Sequence, residues 1–315
     1  MNRREINWHH LLERIERLIE LGETALERQL VPDAPPLPDL ESCLALRWRA
    51  SDDGGHLEAI AHPDLPDPDD LLGIDRQLAV LRRNTRQFVR GLPANNVLLW
   101  GERGTGKSTA VRSLLSLYAD EGLRLVELQK EHLFDLRQIA SRLRPAPWRF
   151  ILYCDDLSFD EQEIDYRELK ALLEGGLETP PENMLIYATS NRRHLIPEKL
   201  TENTGEEEIH PEERIAEKLS LSDRFGISLG FYPFSRQTYL AIVHHLAKKR
   251  KLDIPAPLLE KEALSWAAGR GSRSGRVARQ FVDDLTGRLA LGRDASGKEA
   301  WNLPVREGPS QPAHP

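Results

Sequence analysis

The stretch "NVLLWGERGTGKST" (residues 96–109) constrains the fold more than any other. An apolar run of strand length stops at Gly101. Gly104 and Gly106 follow, and then Lys107, Ser108 and Thr109 open a stretch (107–118) with helical spacing. A strand that passes through a glycine-rich loop straight into a helix begins a crossover, and crossovers build parallel sheets. The loop also fits G-x-x-x-x-G-K-[ST], the Walker A pattern. Its glycines let the backbone curl so that successive N–H groups point inward at phosphate oxygens. The helix N-terminus adds about half a positive charge. Lys107 is then placed to reach the β- and γ-phosphates of a nucleotide, and Ser108 to ligate Mg²⁺. A chance glycine-rich turn is the plain alternative, against which the preceding strand and following helix speak.

The rest of the chain continues the alternation. Strand-length apolar runs at 96–100, 124–128, 149–155, 183–190 and 227–231 are separated by helical stretches, among them 107–118, 131–143 and 162–174. This predicts an α/β fold with a five-stranded, largely parallel sheet covered on both faces. Residues 66–234 are read as this domain. Beyond residue 235 three helical segments and no strand follow, predicting a small helical subdomain over 235–295 and a frayed tail over 296–315. Residues 1–65 read as a mostly helical accessory region: an amphipathic helix over 5–30, a Pro-rich break at 32–40, a short strand or helix at 44–50, and a second Pro-rich linker at 62–75. The 315 residues suffice for a substantial core. A net charge of −7 argues mildly against a surface that coats nucleic acid or acidic membranes. No run approaches the roughly 20 apolar residues of a membrane span. The two cysteines, Cys43 and Cys154, are far apart and form no metal or disulfide pattern, which fits a reducing cytoplasm.

Three further places carry candidate chemistry. "FILYCDD" (150–156) is an apolar strand ending in Asp155 and Asp156, a Walker B pattern. Asp155 serves Mg²⁺ through water, and Asp156 stands where many ATPases carry a Glu that polarises the attacking water. Asp is shorter by one methylene, and misplacement of that order can cost about 10²-fold in rate. "IYATSN" (186–191) ends a strand in Thr189, Ser190 and Asn191, where an amide can orient water against a phosphate; Ser190 or Asn191 could equally cap the next helix. "LSDRFG" (221–226) places Arg224 just before the fifth strand, either as a cation favoured at a helix C-terminus or as an arginine finger acting on a neighbouring subunit. "GSRSGRVARQF" (271–281) sets Arg273, Arg276 and Arg279 near a helix start, where an anion partner is expected and Arg276 is the preferred candidate.

Together, "GERGTGKST", "FILYCDD", "ATSN", "LSDRFG" and "SGRVAR", in this order, resemble the AAA+ ATPases over residues 70–292, and more narrowly a bacterial family of predicted ATPases labelled domain of unknown function 815. The resemblance implies a sheet in the order 5-1-4-3-2, a C-terminal helical lid, ATP and Mg²⁺ as cofactors, and ring assembly, often as hexamers. It implies that Gly101, Glu102, Arg103, Gly104, Thr105, Gly106, Lys107, Ser108 and Thr109 cradle ATP, that Ile74 in "LLGID" lines the adenine pocket, that Ser108 and Asp155 serve Mg²⁺, that Asp156 serves the water, that Asn191 senses the γ-phosphate, that Arg224 acts in trans and that Arg276 closes the lid. Two departures stand out: Asp155-Asp156 in place of Asp-Glu, and "QKEHLFDL" (129–136) in place of the aromatic-glycine loop of polypeptide-threading rings.

The leading expectation is an Mg²⁺-dependent ATPase that switches or remodels an unknown protein partner. A slow-hydrolysing adaptor or loader, with DNA association open but unsupported, is the second. A small-molecule kinase is the third, against which the helical C-terminal part and Arg224 speak. The acidic stretch 201–214 reads as a solvated surface or partner contact, and the pairs His9-His10 and His244-His245 as ordinary helix residues.

Overall fold

The computed structural model describes residues 17, 35–51, 54–158, 173, 181–192 and 223–296. The expected helix over 5–30, the stretch 201–214, nearly all of 162–174 and the tail after 296 lie outside the described residues.

The sheet has seven strands: β1 (Ala45–Arg49), β2 (His56–Ala59), β3 (Val97–Gly101), β4 (Leu123–Leu128), β5 (Arg149–Cys154), β6 (Met184–Ser190) and β7 (Ile227–Phe231), in the order β2-β1-β4-β5-β6-β3-β7. The expected five strands are β3 to β7. They lie side by side, all parallel, in the order 5-1-4-3-2. The correction is at the far edge. β1 adds in parallel to β4, with Leu46 opposite Val126, and β2 returns antiparallel to it. Residues 45–49 and 56–59 therefore belong to the main sheet, where a mostly helical accessory region was expected. The physical cause lies in alternation. Leu46 and Trp48 point to one face and are buried in its core, while Arg47 and Arg49 point to the other. Trp48 donates from Nε1 to Asp135 Oδ2 at 2.7 Å. Gly55 lies against the Trp48 ring so closely that a Cβ there would sit 2.0 Å from it.

Helices cover both faces. α1 (Asp75–Val89) and α2 (Lys107–Tyr118) pack Leu78, Leu81, Phe88, Val111 and Leu114 onto one face. α3 (Leu136–Leu143) packs Leu136, Ile139 and Leu143 onto the other. Central strands buried on both sides read as unbroken apolar runs, which is why Val97, Leu98 and Leu99 are all fully buried. α4 (Arg236–Lys249), α5 (Ala256–Gly269) and α6 (Gly275–Ser296) form a separate core around Tyr239, Val243, Ala263 and Phe281. Among the described residues, no helix is long and apolar enough to cross a membrane.

Two features tie the sheet extension and its following segment to the rest. Arg124 is 2% exposed. Its guanidinium donates to the carbonyls of Leu40, Ala119 and Leu123 at 2.7–2.9 Å and stacks on Trp148 at 3.8 Å. Arg124→Met, which keeps the stem and strands three carbonyls, is expected to cost about 2–4 kcal/mol; a urea melt followed by circular dichroism measures it. The stretch 62–75, expected as a linker, is a strap. On α2, Arg112 donates to Asp64 at 2.5 Å and Ser116 to the Pro66 carbonyl at 3.1 Å. On α4, Lys249 binds Asp67 and Asp70, and His245 pairs with Asp70 at 2.8 Å.

Candidate functional site

The loop after β3 is shaped by close approach. At Gly101, φ is 126° and a Cβ would sit 1.9 Å from the Phe231 carbonyl oxygen on β7. Glu102 N donates to that same carbonyl at 3.0 Å, so the loop leaves the sheet locked to its edge strand. At Gly104, φ is 76° and a Cβ would sit 2.8 Å from Ser274 Oγ, because the start of α6 rests on the loop here. Arg276 N donates to the Gly104 carbonyl at 3.4 Å. At Gly106, the N-cap of α2, a Cβ would lie 3.4 Å from Ile74 and 3.5 Å from Leu71. The loop is thus held between the strap that precedes α1 and the helical subdomain.

Lys107 is 7% exposed. Its Nζ donates to the carbonyls of Gly101 at 2.7 Å and Glu102 at 2.9 Å, and to Asn191 Oδ1 at 3.3 Å. Burial lowers its pKa below the ordinary lysine value, with Asp156 and Asp155 opposing. Ser108 Oγ donates to Asp155 Oδ1 at 2.7 Å, and Thr189 Oγ1 donates to the same oxygen at 2.6 Å. Burial pushes the Asp155 carboxyl upward, and hydrogen bonding, Thr189 foremost, more than offsets this, so it stays below the usual value. The three strand-end residues come together because β3, β6 and β5 are neighbours: sheet order, not sequence spacing, makes the contact.

Asp156 adopts a left-handed backbone, φ 53°. Its N–H donates to Thr189 Oγ1 at 2.9 Å, and its Oδ1 accepts from Asn191 Nδ2. Arg103 lies 3.8 Å from its other oxygen. Left-handed backbone is tolerated by Asp and Asn better than by Glu, which accounts physically for Asp at this position. Ser190 Oγ accepts from Arg192 N at 3.2 Å, a local cap-like bond that leaves Asn191 to the cleft. Burial pushes the Cys154 thiol up to about 12, so it sits beside the site as an inert apolar group.

These groups open onto a cleft of about 610 Å³. Of the residues expected from sequence, Ile74, Arg103, Gly104, Thr105, Gly106, Lys107, Ser108, Thr109, Asp155, Asp156, Asn191 and Arg276 line it. Gly101 and Glu102 do not; their carbonyls are turned to Lys107 instead. Arg224 does not line it either, lying half-buried in the turn before β7. Arg279 lines the cleft together with Arg276, whereas Arg273 borders a separate depression. Sequence reasoning missed Arg112, Glu127, Tyr153 and Phe234. The first three are polar residues inside a helix or strand, where only the final packing says which face they occupy.

The lining includes an apolar set, Leu71, Leu72, Ile74, Phe234, Ile242 and Leu246, which suits a flat base. It also includes cationic Lys107, Arg103, Arg276 and Arg279, which suit phosphates. Ser108 and Asp155, hard oxygen donors 2.7 Å apart, fit Mg²⁺. Among the described residues no group of three or more His, Cys, Asp or Glu side chains could hold a metal.

A family model described as a protein of unknown function (DUF815) matches residues 41–289. Among solved structures, the chain is similar to a variant of Thermotoga maritima RuvB, with a TM-score of 0.51, 16% identity, and coverage of 72% of this chain and 67% of that one. It is also similar to the Aeropyrum pernix ORC1 protein, solved in complex with DNA, with a TM-score of 0.50, 16% identity, and coverage of 75% of this chain and 63% of that one. At this identity the likeness is one of fold: the α/β sheet, loop and helical lid of AAA+ proteins. No curated protein matches the chain.

Proposed function

The chain belongs to the DUF815 family, and from that premise we propose that it binds ATP with Mg²⁺ and hydrolyses it, as an AAA+ switch or remodeller of a protein partner. One observation carries the reading: Lys107, Ser108, Asp155, Asp156 and Asn191, from three separate segments, meet in a hydrogen-bonded group on the wall of a cleft that also has apolar lining.

Each side chain has a task. Lys107 exchanges its own loop carbonyls for phosphate oxygens. Ser108 and Asp155 hold the cation, and Mg²⁺ bound there neutralises the charge that builds on the phosphates. Asp156, oriented by Asn191, polarises the attacking water. Arg276 and Arg279 reach the phosphates from the lid, so the lid's position depends on nucleotide state. The test is calorimetric titration of the protein with ATP and ADP, each with and without Mg²⁺. Saturable binding is expected; absence of heat with both nucleotides overturns the reading.

Arg224 is assigned to a neighbouring subunit's nucleotide in a ring, since its own cleft is built without it. Arg224→Ala is expected to match wild type as a monomer and to lose at least about tenfold in turnover in an assembly. Mixing it with Lys107→Ala should restore part of the activity, because each supplies what the other lacks.

The short, left-handed Asp156 favours a second reading, in which slow hydrolysis only times an adaptor or loader. The DNA named with the ORC1 structure keeps nucleic acid among the cargoes of such a loader. Slow turnover with strong ATP-dependent assembly supports this reading; rapid turnover supports the first.

A further inference from the structure

The strand that carries Asp155 offers the same cleft a second polar group. Tyr153 stands two residues earlier, on the same face of β5. It is 5% exposed and lines the cleft. Its hydroxyl is buried and, among the described residues, completes no hydrogen bond. It lies beside the Ser108 hydroxyl and the Asp155 carboxylate. A buried hydroxyl without a partner is costly and calls for an explanation.

Its other neighbours already have partners of their own. Glu127, its register partner on β4, is bound by Arg47 at 2.5 Å. Tyr187, its partner on β6, shares its hydroxyl with Asn84 and Thr85 at 2.9 Å. Arg112 is held by Asp64. At Asp155, Ser108 and Thr189 both donate to Oδ1. Oδ2 is thus the acceptor left for a further donor.

We propose that Tyr153 is a positioning residue of the cation site: when Ser108 turns its oxygen to Mg²⁺, the Tyr153 hydroxyl donates to the Asp155 carboxylate and keeps it facing the cation. Thr189 holds one carboxylate oxygen and Tyr153 the other, so the carboxylate keeps its orientation whichever way Ser108 points. The inference rests on the assignment of this cleft to Mg·ATP. Its signature is selective. Tyr153 touches the cation's ligands and not the base slot, so it governs metal affinity and leaves metal-free nucleotide affinity alone. Loss of such an outer hydrogen bond typically costs about 10–100-fold in metal affinity.

The experiment compares wild type with Tyr153→Phe, which keeps the buried ring. ADP affinity is measured by calorimetry in EDTA and then across a Mg²⁺ titration, with thermal melts in EDTA alongside. Expected results are equal affinity and no loss of stability in EDTA, because no hydrogen bond is removed there, and a Mg²⁺ half-saturation raised about tenfold or more. An unchanged Mg²⁺ half-saturation overturns the proposal. So does an equal loss of ADP affinity with and without metal, which would place Tyr153 in nucleotide packing. Wild-type protein that binds no ADP in either condition defeats the nucleotide assignment itself, a failure seen before the variant is examined.

Discussion

Lys107→Ala is expected to weaken nucleotide binding by about 10²–10³-fold, equivalent to about 3–4 kcal/mol. The expectation comes from burial. The ammonium is 7% exposed and is held by two loop carbonyls and Asn191. An incoming triphosphate gains a charge that is already desolvated and aimed. Alanine removes the charge and also frees the Gly101 and Glu102 carbonyls, so the loop loses an internal brace. Thermal melts without nucleotide separate the two effects, because a slack loop lowers stability in the absence of ligand. Calorimetry with ATP then reads the phosphate contribution. Wild-type affinity in this variant would remove the loop from nucleotide binding.

Asp156→Asn is the second large effect: binding is expected to be retained while hydrolysis falls by at least about 10²-fold. Asparagine suits the left-handed backbone at this position as well as aspartate does. Its Oδ1 can still accept from Asn191, so the geometry survives the change. What is lost is the charge that draws a proton from water. Phosphate release at saturating ATP, set against ADP and ATP affinities, separates chemistry from binding. A variant with normal turnover would show that another group polarises the water. Loaded with ATP and used as bait, the slow variant should also hold its partner long enough to be captured.

The glycine loop and the five parallel strands were legible because each depends on short local patterns: unbroken apolar runs, glycine spacing, and a cation at a helix head. The same holds for Asp155 and Asn191, which terminate strands whose neighbours the expected sheet order defines. The β1–β2 extension was not legible. Five residues at 45–49 alternate as a strand does but are too few to exclude a helix, and β2 has only four residues. The sheet supplies the missing information, since β4 has a free edge that "ALRWR" fits. The strap failed for a related reason. Pro and Asp residues at 62–70 read as a linker by composition, yet Asp64, Asp67 and Asp70 are each claimed by a cation far away in sequence. His245, read as an ordinary helix residue, also pairs with Asp70. Tyr153 looked like one more apolar strand residue, and its unmet hydroxyl became visible only when β5 was set against the cleft.

The strap also has a mechanical consequence. Its anchor at Asp64 is fixed to the helix that begins with Lys107, and its anchor at Asp70 is fixed to the first helix of the C-terminal subdomain. The six residue steps from one to the other reach at most about 20 Å when drawn straight, and part of that reach is taken up by the tight turn at Pro68–Asp70. The subdomain is therefore on a leash. It can rock about that short tie, but a wide swing must either unclasp Lys249 and His245 or uncoil the turn.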